Sequence, residues 1–140
     1  MVSQMKCENG HRYYRTCREA ARQISEHGNL GHCTRCGEQI RYIISLSYPY
    51  SGETVEFDVL GVHTILSSSE AEEQGWDPMI LLMKQRDAVN EMPIWPYYWT
   101  KNRVGNWANG QFPPLLSVQD LKSVMEKLEN IGRSLPPYMS

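Results

Sequence analysis

The sequence predicts an α+β fold, and three observations carry that reading. Residues 41–59 form two runs of alternating apolar and polar positions around a turn, the pattern of an antiparallel hairpin. Residues 117–131 set apolar side chains at helical spacing behind a capping serine. The first 40 residues instead hold all four cysteines, with a capped helix between two short-spaced knuckles. At 140 residues the chain suffices for one compact domain or for a small module joined to a small core. The pattern divides it into a cysteine-organised module over 1–40, a small α+β domain over 41–132 and a flexible tail over 133–140.

In chain order, Tyr13-Tyr14 reads as a short extended piece. Thr16-Cys17-Arg18-Glu19 then reads as a capping box, in which the threonine hydroxyl accepts from a backbone N–H and Glu19 reaches back. A helix follows with Ala20, Ala21 and Ile24 inward, stopped by Gly28. Tyr42, Ile44, Leu46 and Tyr48 alternate with smaller or polar positions. Pro49-Tyr50-Ser51-Gly52 turns the chain, and Val55, Phe57 and Val59 bring it back. Val62–Leu66 adds a third strand to this meander, and Ser67–Gln74 reads as a short helix ended by Gly75.

Asp77-Pro78 is a possible helix start, because proline is tolerated at the first helical position. The following Met79-Ile80-Leu81-Leu82-Met83 has no clear period and leaves strand and helix both open. Trp95, Tyr97 and Trp99 alternate with Pro96, Tyr98 and Thr100, which predicts an aromatic strand. Asn109-Gly110 is a turn signal. Ser117 and Asp120 cap the last helix, whose Leu121, Val124, Met125, Leu128 and Ile131 share one face, with Gly132 as its stop.

Composition limits the function classes. With 41% apolar and 21% charged residues, the chain is neither disordered nor membrane-spanning in character. No apolar run approaches the ~18–20 residues that cross a bilayer, and Met1–Cys7 lacks a signal-peptide pattern. A cytoplasmic protein with no membrane partner is the expectation. Disulfides do not persist in that reducing compartment, so four cysteines point to metal or catalysis. The net charge of −2 conceals a division: residues 1–44 carry seven Lys/Arg against four Asp/Glu, 45–92 two against nine, and 93–140 five against three. A basic and an acidic region on one chain can meet different partners.

The knuckles fit zinc. Zn²⁺ takes four tetrahedral thiolate or imidazole ligands, and structural sites are usually supplied as two short-spaced pairs. Cys7-x3-His11 and Cys33-x2-Cys36 are such pairs, with Gly10, Gly31 and Gly37 where tight turns need permissive backbone. Cys17 competes with His11 for the fourth position, although in the first turn of a helix it is also explained as a small buried residue. A redox Cys-x-x-Cys normally opens a helix, whereas here a strand follows.

Cys7-Glu8-Asn9-Gly10-His11-Arg12-Tyr13, followed after a spacer by Cys33-x-x-Cys36-Gly37, resembles the zinc-ribbon domains of bacterial and phage proteins. Their first knuckle commonly reads Cys-x-x-Gly-His with an aromatic after it, and their second Cys-x-x-Cys-Gly. The resemblance covers about the first 40 residues and implies Cys7, His11, Cys33 and Cys36 as ligands of one structural zinc. The helix between the knuckles is longer than a minimal ribbon needs, so it reads as an insertion. Four protein ligands leave no open position for metal chemistry. No nucleophile–base pair, phosphate loop or His-Glu-x-x-His is legible, so no catalytic residue is assigned.

Two surfaces invite a partner. Arg15, Arg18 and Arg22 lie at three- and four-residue intervals, one side of the expected helix, where they can face phosphates. Tyr98, Lys101, Arg103 and Trp107 interleave aromatics with cations, a combination that stacks bases or grips a protein. Trp95, Tyr97 and Trp99 are equally well read as core. The expectation is a zinc-stapled accessory or regulatory protein contacting DNA or RNA. The alternative is a protein-interaction adaptor that uses the acidic middle or the aromatic segment.

Overall fold

The computed structural model describes residues 2–47, 52–86, 93–110 and 117–134. Six strands form one antiparallel sheet in sequence order: β1 (Val2–Lys6), β2 (Arg41–Ser47), β3 (Thr54–Thr64), β4 (Trp76–Gln85), β5 (Ile94–Lys101) and β6 (Trp107–Asn109). Among the described residues three helices complete the α+β architecture: α1 (Cys17–His27), α2 (Ser68–Gln74) and α3 (Val118–Ser134).

Helix α1 starts where the sequence signals it. Thr16 is the N-cap and its hydroxyl accepts from the Glu19 N–H at 3.2 Å, while Gly28 ends the helix at φ 82°. A left-handed residue at that place is best served by glycine, which has no Cβ to clash. The buried Ala20, Ala21 and Ile24 lay α1 across the sheet beside β3. Tyr42, Ile44, Phe57, Met79, Leu81, Met83, Trp95, Tyr97 and Trp99 belong to the same core. The aromatic strand is therefore core on its odd positions: Trp95, Tyr97 and Trp99 are each at most 3% exposed, with neighbouring rings 4.8–4.9 Å apart in tilted or edge-on geometry.

The meander joins the two ends of the sequence division. Strand β1 precedes the first knuckle and pairs with β2 from Val2–Ser45 to Lys6–Arg41, across residue 40. The predicted hairpin is β2–β3, paired from Ile43–Asp58 to Ser47–Thr54, although Pro49, Tyr50 and Ser51 of its turn lie outside the described residues.

Several sequence expectations are corrected. Val62–Leu66 is no separate strand: β3 runs on to Thr64 through an irregularity between Val59 and Gly61, so one strand serves both stretches. Trp76–Gln85 is strand rather than helix, with Asp77, Met79, Leu81 and Met83 on the inner face. Pro78 is tolerated there because its missing N–H faces β3 just past the end of that pairing at Thr64–Met79 and not β5; on the same side its carbonyl still accepts from Ile65 at 3.2 Å. Asn109-Gly110 still runs beside β5, with Gly110 N–H donating to Tyr98 O at 2.9 Å, and the residues that would complete a turn there lie outside the described residues. A turn is described at Asn102–Gly105, where the Asn102 side-chain oxygen accepts from the N–H groups of Val104 and Asn106, both at 3.0 Å. Asn109 ends β6 and accepts from the Trp99 indole at 3.0 Å, and a β-carbon on Gly110 would overlap the Tyr98 ring.

Helix α2 carries the full capping box, Ser67 with Glu70, and ends at Gly75. Ser117 and Asp120 exchange the same two bonds at the start of α3. That helix does not stop at Gly132 but continues to Ser134, so the expected tail begins inside it; residues 135–140 lie outside the described residues. No helix among the described residues is long and apolar enough to cross a membrane.

Candidate metal centre

The two knuckles converge. One ligand atom from each of Cys7, His11, Cys33 and Cys36 lies within 4.8 Å of the other three. The Cys7 and Cys36 sulfurs are 3.6 Å apart, and Cys33 Sγ is 3.4 Å from His11 Nδ1. A tetrahedral zinc with bonds of ~2.3 Å to sulfur and ~2.0 Å to nitrogen separates its ligands by roughly 3.5–3.8 Å. The donor set and the spacing both fit that ion. Cys17 stands apart from the cluster: it opens α1 and packs against the core, in the neighbourhood of Tyr42. The structure brings His11, and not Cys17, to the other three candidate ligands.

Local backbone explains the convergence. Each knuckle folds back on itself, with Gly10 N–H donating to Cys7 O at 3.0 Å and Gly37 N–H donating to Cys33 O at 2.8 Å. Both turns place glycine at positive φ, 80° and 76°. Cys33 N–H also donates to Glu38 O at 2.7 Å, and Cys7 N–H to His11 O at 3.1 Å. The Cys36 thiol is pulled down to about 6, first by the Glu38 backbone N–H and then by the Asn9 side chain, which favours the thiolate that binds a metal. Burial pushes the Cys7 thiol the other way. Arg41 ties the site to the sheet by pairing with both Glu8, beside Cys7, and Asp58 on β3.

A second cluster absorbs most of the residues expected to face a partner. Asp77 is fully buried and takes Arg22 bidentately, Nε and Nη2 each at 2.8 Å, together with Arg18 Nε at 2.8 Å. Arg22 Nη2 also donates to the carbonyls of Leu66 (3.2 Å) and Ser67 (3.4 Å). The Arg18 guanidinium lies 3.8 Å from the centre of the Trp107 ring, and Glu72 gathers Arg18, Lys101 and the Trp107 indole. The structure thus brings Arg18, Arg22, Lys101 and Trp107 into one network that fastens α1 to α2, β4 and the β5–β6 turn.

The remaining expected contact residues lie outside that network. Arg15 precedes α1 rather than extending its stripe; it donates to the Tyr13 hydroxyl at 2.7 Å and faces Glu19 at 3.9 Å. Arg103 is exposed in the Asn102–Gly105 turn, and Tyr98 packs over Gly110. Sequence reasoning missed Asp77 and Glu72, the acids that claim these cations. The signal for Asp77 was its position as the lone acid in the apolar run 76–83.

The class this site defines is a small protein with a Cys3His cluster that could hold a metal ion, with the donor chemistry and spacing that zinc takes. Comparison with known protein families, curated proteins and solved structures finds no match to this chain.

Proposed function

We propose that the protein is a cytoplasmic, non-enzymatic binding protein whose zinc positions a nucleic-acid contact surface beside the first knuckle. One observation carries this: a groove of about 500 Å³ against β1, lined by Arg12, Tyr13, Tyr14 and Arg15 among others. Tyr14 is 86% exposed between two exposed arginines. An aromatic face flanked by guanidinium groups suits single strands, whose bases stack while the cations meet phosphates. His11 immediately precedes Arg12, so the metal fixes where this surface stands. A zinc with four protein ligands has no vacancy for a substrate or water, so the surface and not the ion does the work.

The test is retention of the zinc-loaded protein on immobilised single-stranded DNA and RNA over a salt series. The double variant Arg12→Ala/Arg15→Ala is expected to weaken retention and flatten the salt dependence by about 1.4 in slope, roughly 0.7 per lost phosphate contact. Absence of retention by the unaltered protein at low salt would overturn the reading.

A protein partner is the second reading, favoured by the open edge of β1. Met5 O accepts from Tyr13 N–H on the side away from β2, so the Ser3 backbone groups face that same side, where no described strand pairs with them. An added strand needs the Ser3 N–H. Binding that survives nuclease treatment and is lost in Ser3→Pro would select this reading.

A further inference from the structure

Helix α3 presents an apolar face to solvent. Val118, Val124, Met125, Leu128 and Ile131 are 46%, 47%, 54%, 62% and 55% exposed. Apolar side chains gathered on one exposed helix face call for an occupant.

The geometry points to a two-fold, antiparallel pairing of α3 with α3 from a second copy of this chain. Val118, Leu121, Met125, Leu128 and Gly132 follow one another at three- and four-residue steps, the spacing of a coiled-coil seam. The two flanks of this seam differ. One carries Lys122 and Glu129, one heptad apart; the other carries Val124 and Ile131 at the same interval.

Only the antiparallel arrangement keeps like with like. With Met125 set against Leu128 of the partner subunit, Lys122 meets Glu129 of the partner subunit, and the two-fold axis repeats the pair. Val124 then meets Ile131 of the partner subunit on the opposite flank. A parallel pair would set each charged flank against the apolar one. The seam ends with Leu121 over Gly132 of the partner subunit, where the missing side chain lets the helices close. Such an interface is isologous and self-limiting, so it yields dimers and not filaments. This inference is independent of the nucleic-acid reading.

Sedimentation velocity on the full zinc-loaded chain, over a dilution series from high micromolar downward, tests it. The expected mass is twice 16.2 kDa, falling to the single-chain value on dilution. Leu128→Glu should give 16.2 kDa throughout while zinc content and far-UV dichroism of the remaining fold persist. Lys122→Glu should weaken the dimer several-fold by opposing two acids, and Lys122→Glu/Glu129→Lys should restore it. A single-chain mass at every concentration, a dimer that survives Leu128→Glu, or no recovery in the charge swap would overturn the pairing.

Discussion

Replacing Cys36 by serine is expected to remove the zinc and with it the cooperative fold of the N-terminal half. The expected loss is on the order of 10 kcal/mol, the scale of structural zinc binding. A domain of this size holds only about 5–15 kcal/mol in total, so no other single site here carries comparable weight. The mechanism follows from chain order. Strand β1 ends one residue before Cys7, and β2 begins five residues after Cys36. An ion held by the four residues would therefore close the loop that contains α1 and pin β1 into its register against β2. Without it, α1 still has its cap and core face, but β1 keeps only five paired residues at a sheet edge. Far-UV dichroism and urea titration of Cys36→Ser should show a broadened transition at much lower denaturant, with no bound zinc. Cys17→Ser supplies the control: its sulfur lies outside the cluster, so zinc stoichiometry should not change.

Asp77→Ala should destabilise the zinc-loaded protein by about 3–5 kcal/mol, the cost of stripping one partner from a buried ion pair. The carboxylate has no solvent exposure, and Arg22 is only 9% exposed. Removing the acid leaves two guanidinium groups facing each other with little water between them. Arg22 would keep the carbonyls of Leu66 and Ser67, which offsets part of the loss. Replacing all three partners together with apolar residues should cost far less than Asp77→Ala alone, because no orphaned charge then remains buried. Equilibrium urea unfolding with zinc in excess reads both. A change below about 1 kcal/mol for Asp77→Ala would mean that the network is a surface feature, where ion pairs contribute that little.

How much of this was legible beforehand differs by element. The metal ligands, the α1 and α2 boundaries and the β2–β3 hairpin are local features. Spacing, caps and period specify them within a few residues, and the structure keeps them. The aromatic strand was legible as a strand, but its burial depended on α1 crossing the sheet, a long-range fact. Residues 79–83 were illegible because both faces of β4 there are apolar: Leu82 is 46% exposed and hides the alternation of Met79, Leu81 and Met83. The partners of the arginines were illegible for a different reason. Arg18 and Arg22 do share a helix face, but that face meets Asp77, 59 and 55 residues away, and no local window contains the pairing. The α3 stripe was legible as one apolar face from its period alone. Periodicity gives the direction of an apolar face, not what covers it.

Zinc K-edge X-ray absorption on the purified 140-residue chain tests the central claim most directly. A closed centre of Cys7, His11, Cys33 and Cys36 predicts one zinc per chain with three sulfur neighbours at ~2.3 Å and one nitrogen at ~2.0 Å. Four sulfurs would put Cys17 in place of His11. An oxygen neighbour in the shell, or protein that folds fully without zinc, would contradict a closed structural site.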